Sequence, residues 1–361
     1  MKLDSPQKET YGKEQNSALK AQRLAQEIAF GPIVFQVARL MVKFGIFQLL
    51  DEHTEGLTIE EIAQEKGISK YGIQVLLEAS LTTGTVLLKE HKFHLSKAGW
   101  FLINDEMVKV NLDFNNDVNY LGMYHLEEAI LHGKAEGLKA LGQWPTIYEG
   151  LSSLQEPARS SWFNFDHFYS DNSFTQALEI VFAHHPQKIL DIGGNTGRWA
   201  IQCVQYNPEV EVTIMDLPQQ IELMRQNTQE VKGKERIHSH CGNLLCPETQ
   251  IPSGFDIIWM SQFLDCFSED EVVSILSRAA KALPKNGKIF IMETLWDRQA
   301  FETASYCLTQ ISLYFTAMAN GNSKMFYSGD LVNYIQRAGL KIDCFHDNIG
   351  LAHSILECSL A

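Results

Sequence analysis

The chain lacks the marks of several whole classes of protein. Its seven cysteines, Cys203, Cys241, Cys246, Cys266, Cys307, Cys344 and Cys358, form no C-x-x-C pair and follow no metal-ligand rhythm. Spacing therefore supports neither a disulfide scaffold nor a metal centre, and the thiols read as reduced and mostly buried. No run approaches the ~20 consecutive apolar residues that span a bilayer. Residues 1–17, MKLDSPQKETYGKEQNS, are polar and mixed in charge, without the apolar stretch of a secretory signal. The expectation is a cytoplasmic protein with no membrane partner. Positive charge is scarce: 30 Lys and Arg stand against 44 Asp and Glu, a formal net charge of −14. So acidic a chain lacks the basic face that a nucleic-acid backbone requires. Internal repeats and low-complexity tracts are absent as well, which excludes solenoid architectures.

What is present is an ordinary globular balance, 45% hydrophobic and 20% charged over 361 residues, enough for two domains. The expected division is 1–112 and 113–361. The first fifteen or so residues read as a loose arm. Over residues 18–50 apolar side chains recur at helical spacing (Val34, Val37, Met41, Ile46, Leu49 among them), which predicts a pair of helices broken near Gly31-Pro32. Thr58 with Glu61 three residues on is a capping-box pattern opening a short helix that stops at Gly67. Ser69 caps a second helix running to about Leu81, and residues 85–89 and 92–95 form a hairpin. Helix, turn, helix, hairpin is the outline of a winged helix. A groove-reading helix needs Arg, Lys, Asn or Gln along its length, whereas residues 70–78 carry one cation and one amide. Packing against a second copy, in a homodimer, is the expected role of this domain.

Residues 112–182 are helical and aromatic. From Gln187 onward apolar strands (188–192, 212–215, 256–260, 288–292) alternate with amphipathic helices, and two more strand-like runs, 341–345 and 354–360, flank a turn at 347–350. The alternation predicts an α/β domain, a Rossmann-like, doubly wound parallel sheet with helices on both faces, preceded by the mostly α winged-helix domain.

The first of these strands runs into Asp191-Ile192-Gly193-Gly194-Asn195-Thr196-Gly197, a carboxylate and a glycine-rich turn ahead of a helix. Glycines let a ligand approach the backbone. A dinucleotide site wants G-x-G-x-x-G, which sets a pyrophosphate against a helix N-terminus; here Asn195 stands where the second glycine belongs, so a nicotinamide oxidoreductase is disfavoured. Asp191 would repel a phosphate and attract an ammonium or sulfonium. Asp216, closing the next strand about twenty residues on, is placed to accept both hydroxyls of a ribose. Together they point to a phosphate-free, cationic nucleoside.

The runs DIGGNTG, MDLP (215–218), CGNLL (241–245) and WMSQFLDCFSEDE (259–271), in that order, resemble the successive motifs of the plant-type and bacterial polyketide-type O-methyltransferases. The likeness covers nearly the whole chain, since that family also carries an N-terminal winged-helix dimerisation domain, which residues 35–95 resemble. It implies S-adenosyl-L-methionine as cofactor, with Gly193, Gly197 and Asp216 holding its methionine and ribose portions and Asn243 and Leu244 bordering adenine. Asp191, Gly194, Leu217 and Ser261, within the same motifs, complete the expected cofactor set.

Three departures stand out. Asn195 replaces a usual glycine. Asn243 replaces the usual Asp at the adenine edge but keeps a carbonyl acceptor. The family's catalytic histidine, in a motif resembling leucine-histidine-aspartate-tryptophan, is here Asp265 in Leu264-Asp265-Cys266-Phe267, with Glu293 where the family has an acid that orients the base. The family's other orienting acid would fall within 321–325, which holds no carboxylate. A phenol acceptor has a pKa of ~10 and an ordinary Asp ~4, a mismatch on the order of 8 kcal/mol if the phenolate forms first. Desolvation by Phe263 and Phe267, or repulsion from Glu293, would raise Asp265 and narrow it. A merely solvated acid ahead of a helix is the plain alternative. Open readings are Asp265 as base, an acidic acceptor needing only proximity, carbon methylation, or an idle cofactor-binding dimer.

The family's acceptor wall corresponds to residues 301–320, with Gln310, Tyr314 and Met318; the aromatic stretch with Trp162, Phe165, His167 and Tyr169 is the other expected lining. These imply a small, flat, aromatic acceptor. His167 and His240 are the substitute bases.

Overall fold

The computed structural model describes residues 7–361, which divide into two compact units, 7–115 and 116–361. Part of the expected N-terminal arm, residues 1–6, lies outside the described residues; Gln7–Tyr11 form a short helix.

In the first unit the apolar periodicity becomes three helices rather than two: Ala18–Ala29, Gly31–Lys43 and Ile46–Glu52. The additional break falls at Gly45, whose φ of +66° is a left-handed conformation that glycine takes freely. Helix Ile59–Lys66 opens with the expected capping box: Glu61 accepts from the Thr58 N–H at 2.7 Å, and Thr58 Oγ1 accepts from the Glu61 N–H at 3.3 Å. Replacing Thr58 with Ala is expected to cost about 1 kcal/mol, read as a lower urea midpoint at unchanged slope. Helix Lys70–Thr83 and the antiparallel strands β1 (Val86–Lys89) and β2 (Lys92–Leu95) follow. Met41, Ile46, Phe47, Leu50, Ile62, Ile73, Leu77 and Val86 form a closed core. Lys70, the cation of the second helix, is ion-paired with Glu60. Among the described residues no single helix is long and apolar enough to cross a membrane.

The second unit carries a seven-stranded sheet: β3 (Lys188–Ile192), β4 (Glu211–Asp216), β5 (Ile237–Cys241), β6 (Ile257–Ser261), β7 (Lys288–Thr294), β8 (Leu340–Ile349) and β9 (His353–Leu360), in the order β5-β4-β3-β6-β7-β9-β8. Strands β3 to β7 are parallel, while β9 runs antiparallel to both neighbours, so the sheet is mixed rather than wholly parallel. Alternate residues serve opposite faces. Leu190, Ile192, Ile258, Met260, Ile289 and Ile291 pack into one core; Ile189, Ile257, Trp259, Phe290 and Met292 pack into the other, where Trp199 stacks on Trp259 at 4.3 Å between ring centroids. Burial on both faces explains why these strands read as continuous apolar runs.

Two strand expectations need correction. Edge strand β5, Ile-His-Ser-His-Cys, is half exposed and has no apolar run to betray it. The turn expected at 347–350 is strand as far as Ile349, because a bulge between His346 and Ile349 absorbs the left-handed Asn348 (φ +60°) and the chain reverses only beyond.

The strand order reverses between β3 and β6. In an open α/β sheet the crevice beyond the carboxyl ends of such strands is where ligands sit. The loops leaving β3 and β6 are the two carrying Gly193–Gly197 and Gln262–Asp265.

Candidate active site

A cavity of about 430 Å³ opens at this switch point. On the cofactor side its wall includes Gly193, Asn195, Asp216, Leu217, Asn243 and Leu244. Gly193 has φ +76°, and a Cβ there would lie 2.3 Å from the Phe263 ring. Asn195 also takes a left-handed conformation, φ +47°. Asn is among the few residues that do so readily, so it can stand at a turn position where a glycine would otherwise serve. Its N–H donates to Asp216 Oδ2 at 2.9 Å, its Nδ2 to Asp166 Oδ2 at 3.3 Å, and its own Oδ1 is buried without a partner. Asp216 Oδ1 accepts from the Leu217 N–H at 2.7 Å. Each Asp216 oxygen has one protein donor and capacity for another.

Asp191 lies elsewhere than its sequence position led us to expect. It is buried beneath the loop, not in the cavity wall, and a Cβ on Gly194 would sit 2.6 Å from its Oδ2. Burial, and then the charge of Asp216, push it up to about 8, so at neutral pH it is mainly a neutral acid under the turn. Gly194, Gly197 and Ser261 also stand behind the wall; Gly197 (φ +83°) opens helix Arg198–Tyr206.

Asp265 is no solvated acid. It sits in the 3-10 turn Leu264–Cys266, lines the cavity and is 4% exposed. Burial, opposed by a hydrogen bond from Cys266 Sγ (3.5 Å) and reinforced by the charge of Asp166, raises its carboxyl to about 7. Glu293, on β7, is fully buried, and its Oε1 accepts from the N–H groups of Phe263 (3.1 Å) and Leu264 (2.8 Å), pinning the loop that presents Asp265. Burial and then the neighbouring Asp265 carry Glu293 well above the usual carboxylate range. Of the two, Glu293 keeps its proton and Asp265 takes the charge.

The acceptor-side wall follows helical phase. On helix Ala158–Asp171, Trp162, Phe165, Asp166 and Tyr169 (i, i+3, i+4, i+7) face the cavity. His167 falls between these positions and faces away; burial and then Arg198 push it down to about 4. On helix Glu302–Tyr314, Leu308, Ile311 and Tyr314 line the cavity, and Gln310, out of phase, is exposed. Met318 would be one heptad past Ile311, but the helix widens into a π-turn over Phe315–Ala319, and the lost phase sends Met318 against Gly122 and Gly137 instead. His240 is exposed on edge strand β5. Trp162 Nε1 donates to Tyr314 Oη at 2.7 Å across the cavity wall.

Sequence reasoning missed Asp166, Tyr148, Cys266 and Gln262, all of which line the cavity. The helical register of Trp162 would have found Asp166. Gln262 carried no such signal: it is a non-glycine residue at φ +46°, its Oε1 accepting from Nε2 of the buried His353 at 2.7 Å, while Ser173 Oγ donates to His353 Nδ1 at 2.9 Å. Desolvation lowers His353 to about 4, leaving it neutral and able to play both roles.

These residues fit a phosphate-free cationic nucleoside. Among the described residues no Lys or Arg lines the cavity to meet a phosphate, the Gly193 cradle would be filled by any Cβ, and Asn195 Oδ1, without a hydrogen-bond partner among them, offers a buried acceptor beside Asp166.

A family model described as an O-methyltransferase domain matches residues 123–340, and a Dimerisation2-like domain matches residues 22–93. The L-tyrosine C(3)-methyltransferase of Streptomyces lavendulae is 22% identical over 322 residues, spanning 88% of this chain and 86% of its own. The acetylserotonin O-methyltransferase of Bos taurus is 24% identical over 301 residues, 80% of this chain and 85% of its own. Among solved structures, the S-adenosylmethionine-dependent methyltransferase SibL in its apo form matches with a TM-score of 0.71 at 20% identity, over 92% of this chain and 98% of its own. An O-methyltransferase from neocarzinostatin biosynthesis, in complex with S-adenosylmethionine and 2-hydroxy-5-methyl naphthoic acid, matches at 0.67 and 18% identity, over 91% and 96%. With the methyltransferase match alone spanning more than half its length, the chain belongs to the O-methyltransferase family and is an S-adenosylmethionine-dependent methyltransferase.

Proposed function

We propose that the protein methylates a hydroxyl on a small aromatic acceptor, with Asp265 as the general base in the place of the family's histidine. The observation that carries this is the buried Asp265 carboxyl in the cavity wall, raised to about 7. When bound, S-adenosylmethionine supplies an electrophilic methyl on a sulfonium. Asp216 accepts the ribose hydroxyls, Asn243 and Leu244 border the adenine, and the backbone at Gly193 receives the methionine portion. Trp162, Phe165, Tyr169 and Tyr314 hold a flat ring, which confers the alignment on which an in-line displacement depends. Glu293 keeps its proton and fixes the Phe263–Leu264 backbone, so the acceptor's proton goes to Asp265. Residues 1–112 serve as the dimerising portion of a homodimer and 113–361 as the catalytic portion, a division supported by the Dimerisation2-like match.

A second reading has one specific observation in its favour, the similarity to an L-tyrosine C(3)-methyltransferase. A base that removes a phenolic proton also activates the adjacent ring carbon, so Asp265 would serve either outcome. Incubation with methyl-labelled S-adenosylmethionine and a panel of phenols and catechols is expected to give labelled methyl ethers. Label on ring carbon would favour the second reading. No transfer to any acceptor would end both and leave an idle cofactor-binding protein.

A further inference from the structure

The charges around the cavity are one-sided. Glu149, Asp166, Asp216 and Asp265 line it, and among the described residues no Lys, Arg or His does. The nearest cation acting on Asp166 is Arg198, itself ion-paired with Asp171 outside the wall. Asp191 and Glu293, immediately behind, are buried acids that hold their protons at neutral pH and bring no positive charge. S-adenosylmethionine brings a sulfonium and an ammonium against one carboxylate, a net of one positive charge. Asp216 is engaged on the ribose side and Asp265 is half ionised near neutrality, so a loaded cavity still holds more negative than positive charge. Much of the rest of the acceptor wall is aromatic (Trp162, Phe165, Tyr169, Phe263, Tyr314), and ring faces attract cations and repel anions. A carboxylate brought here would lose its hydration without gaining a cationic partner, a costly form of burial.

We infer that the acceptor carries no carboxylate, and that a phenol bearing a protonated amine is preferred over its neutral counterpart, with Asp166 facing the amine. This rests on the phenol-binding site proposed above. It also separates this chain from the similar methyltransferase whose structure holds a naphthoic acid.

The test uses three phenols on one skeleton, 4-hydroxyphenylacetate, 4-hydroxyphenylacetamide and tyramine, titrated calorimetrically into full-length protein saturated with S-adenosylhomocysteine. Tyramine is expected to bind tightest and the acetate weakest, with on the order of a hundredfold between them, since like-charge juxtaposition at a desolvated site is heavily penalised. Asp166→Asn should shrink that ratio severalfold while keeping the hydrogen bond to Asn195. Acetate binding as well as the amide, or no member of the series binding at all, would overturn the inference; the comparison on the unaltered protein stands whether or not the variant folds. Parallel assays with labelled S-adenosylmethionine keep the two claims apart. The predicted order without methyl transfer sinks the proposed activity alone, and transfer to the acetate as readily as to the amide sinks the charge preference alone.

Discussion

Replacing Asp265 with Asn is expected to lower kcat/KM for a phenol acceptor by about 10²–10⁴-fold, the range for loss of a positioned general base, while leaving S-adenosylmethionine affinity within a few-fold. Asn keeps the volume and an acceptor for Cys266 Sγ–H, so the loss would belong to the proton-accepting role. With the Asp265 carboxyl at about 7, the remaining free-energy gap to a phenol of pKa ~10 is roughly 4 kcal/mol at 1.36 kcal/mol per tenfold, about half that facing an ordinary aspartate. The base must be ionised. For the natural protein log kcat/KM should therefore climb with unit slope below pH 7 and level off above it, and the variant should lose this inflection. Stability moves the other way. Unfolded, the carboxyl titrates near ~3.9; folded, it holds its proton up to about 7. Between those values the folded chain binds the extra proton, so stability falls as pH rises through the window, by up to roughly 4 kcal/mol. Asp265→Asn removes that loss and should unfold at a higher temperature than the natural protein at pH 8, with the difference vanishing near pH 4. A variant equally active and equally stable across that range would show that Asp265 is a bystander and that proximity alone drives transfer.

The sheet was legible in the sequence because parallel strands buried on both faces must be apolar throughout. β3, β6 and β7 stand out for that reason, whereas β5, an edge strand with two histidines, does not. The cofactor loop was legible because its turn demands glycine at Gly193 and Gly197, where φ is positive. Asp265 was found only through the motif it departs from. Nothing local says that an acid before a capped helix is buried; the Glu293 contacts that hold its loop come from a strand about thirty residues on. The acceptor wall was half legible. Aromatic enrichment flagged the helix around Trp162, but which residues face inward depends on register, and His167 is one position out. At Met318 register itself fails, because a π-turn changes the residues per turn and no residue type announces one. Gln262 illustrates the limit most clearly, since its strained backbone and its partner His353 are joined only by the fold.

Gly193→Ala is expected to weaken S-adenosylmethionine binding by a hundredfold or more, measured by calorimetry on the full chain. Two costs add. At φ +76° a side chain meets the left-handed penalty of about 1–2 kcal/mol. The new methyl would also lie 2.3 Å from the Phe263 ring, which packs edge-on against Phe267 at 4.8 Å between centroids. Something must then move into the cavity. If the ring swings, it enters the space that both Gly193 and Phe263 line; if the loop lifts, Asn195 loses its hold on Asp216, the carboxylate placed for the ribose. Phe263 is moreover tied by its N–H to Glu293, one residue from Leu264 and two from Asp265, so a ring displacement is expected to disturb the base as well and to lower kcat in any residual activity. Asn195→Gly is the informative contrast. It relieves an existing left-handed residue, sacrifices the 3.3 Å contact to Asp166 and the buried Oδ1 acceptor but no backbone contact to Asp216, and should bind the cofactor within about fivefold of the natural protein. If Gly193→Ala bound equally well, the glycine would be a feature of the turn alone, and the cofactor would have to approach the sheet by another route.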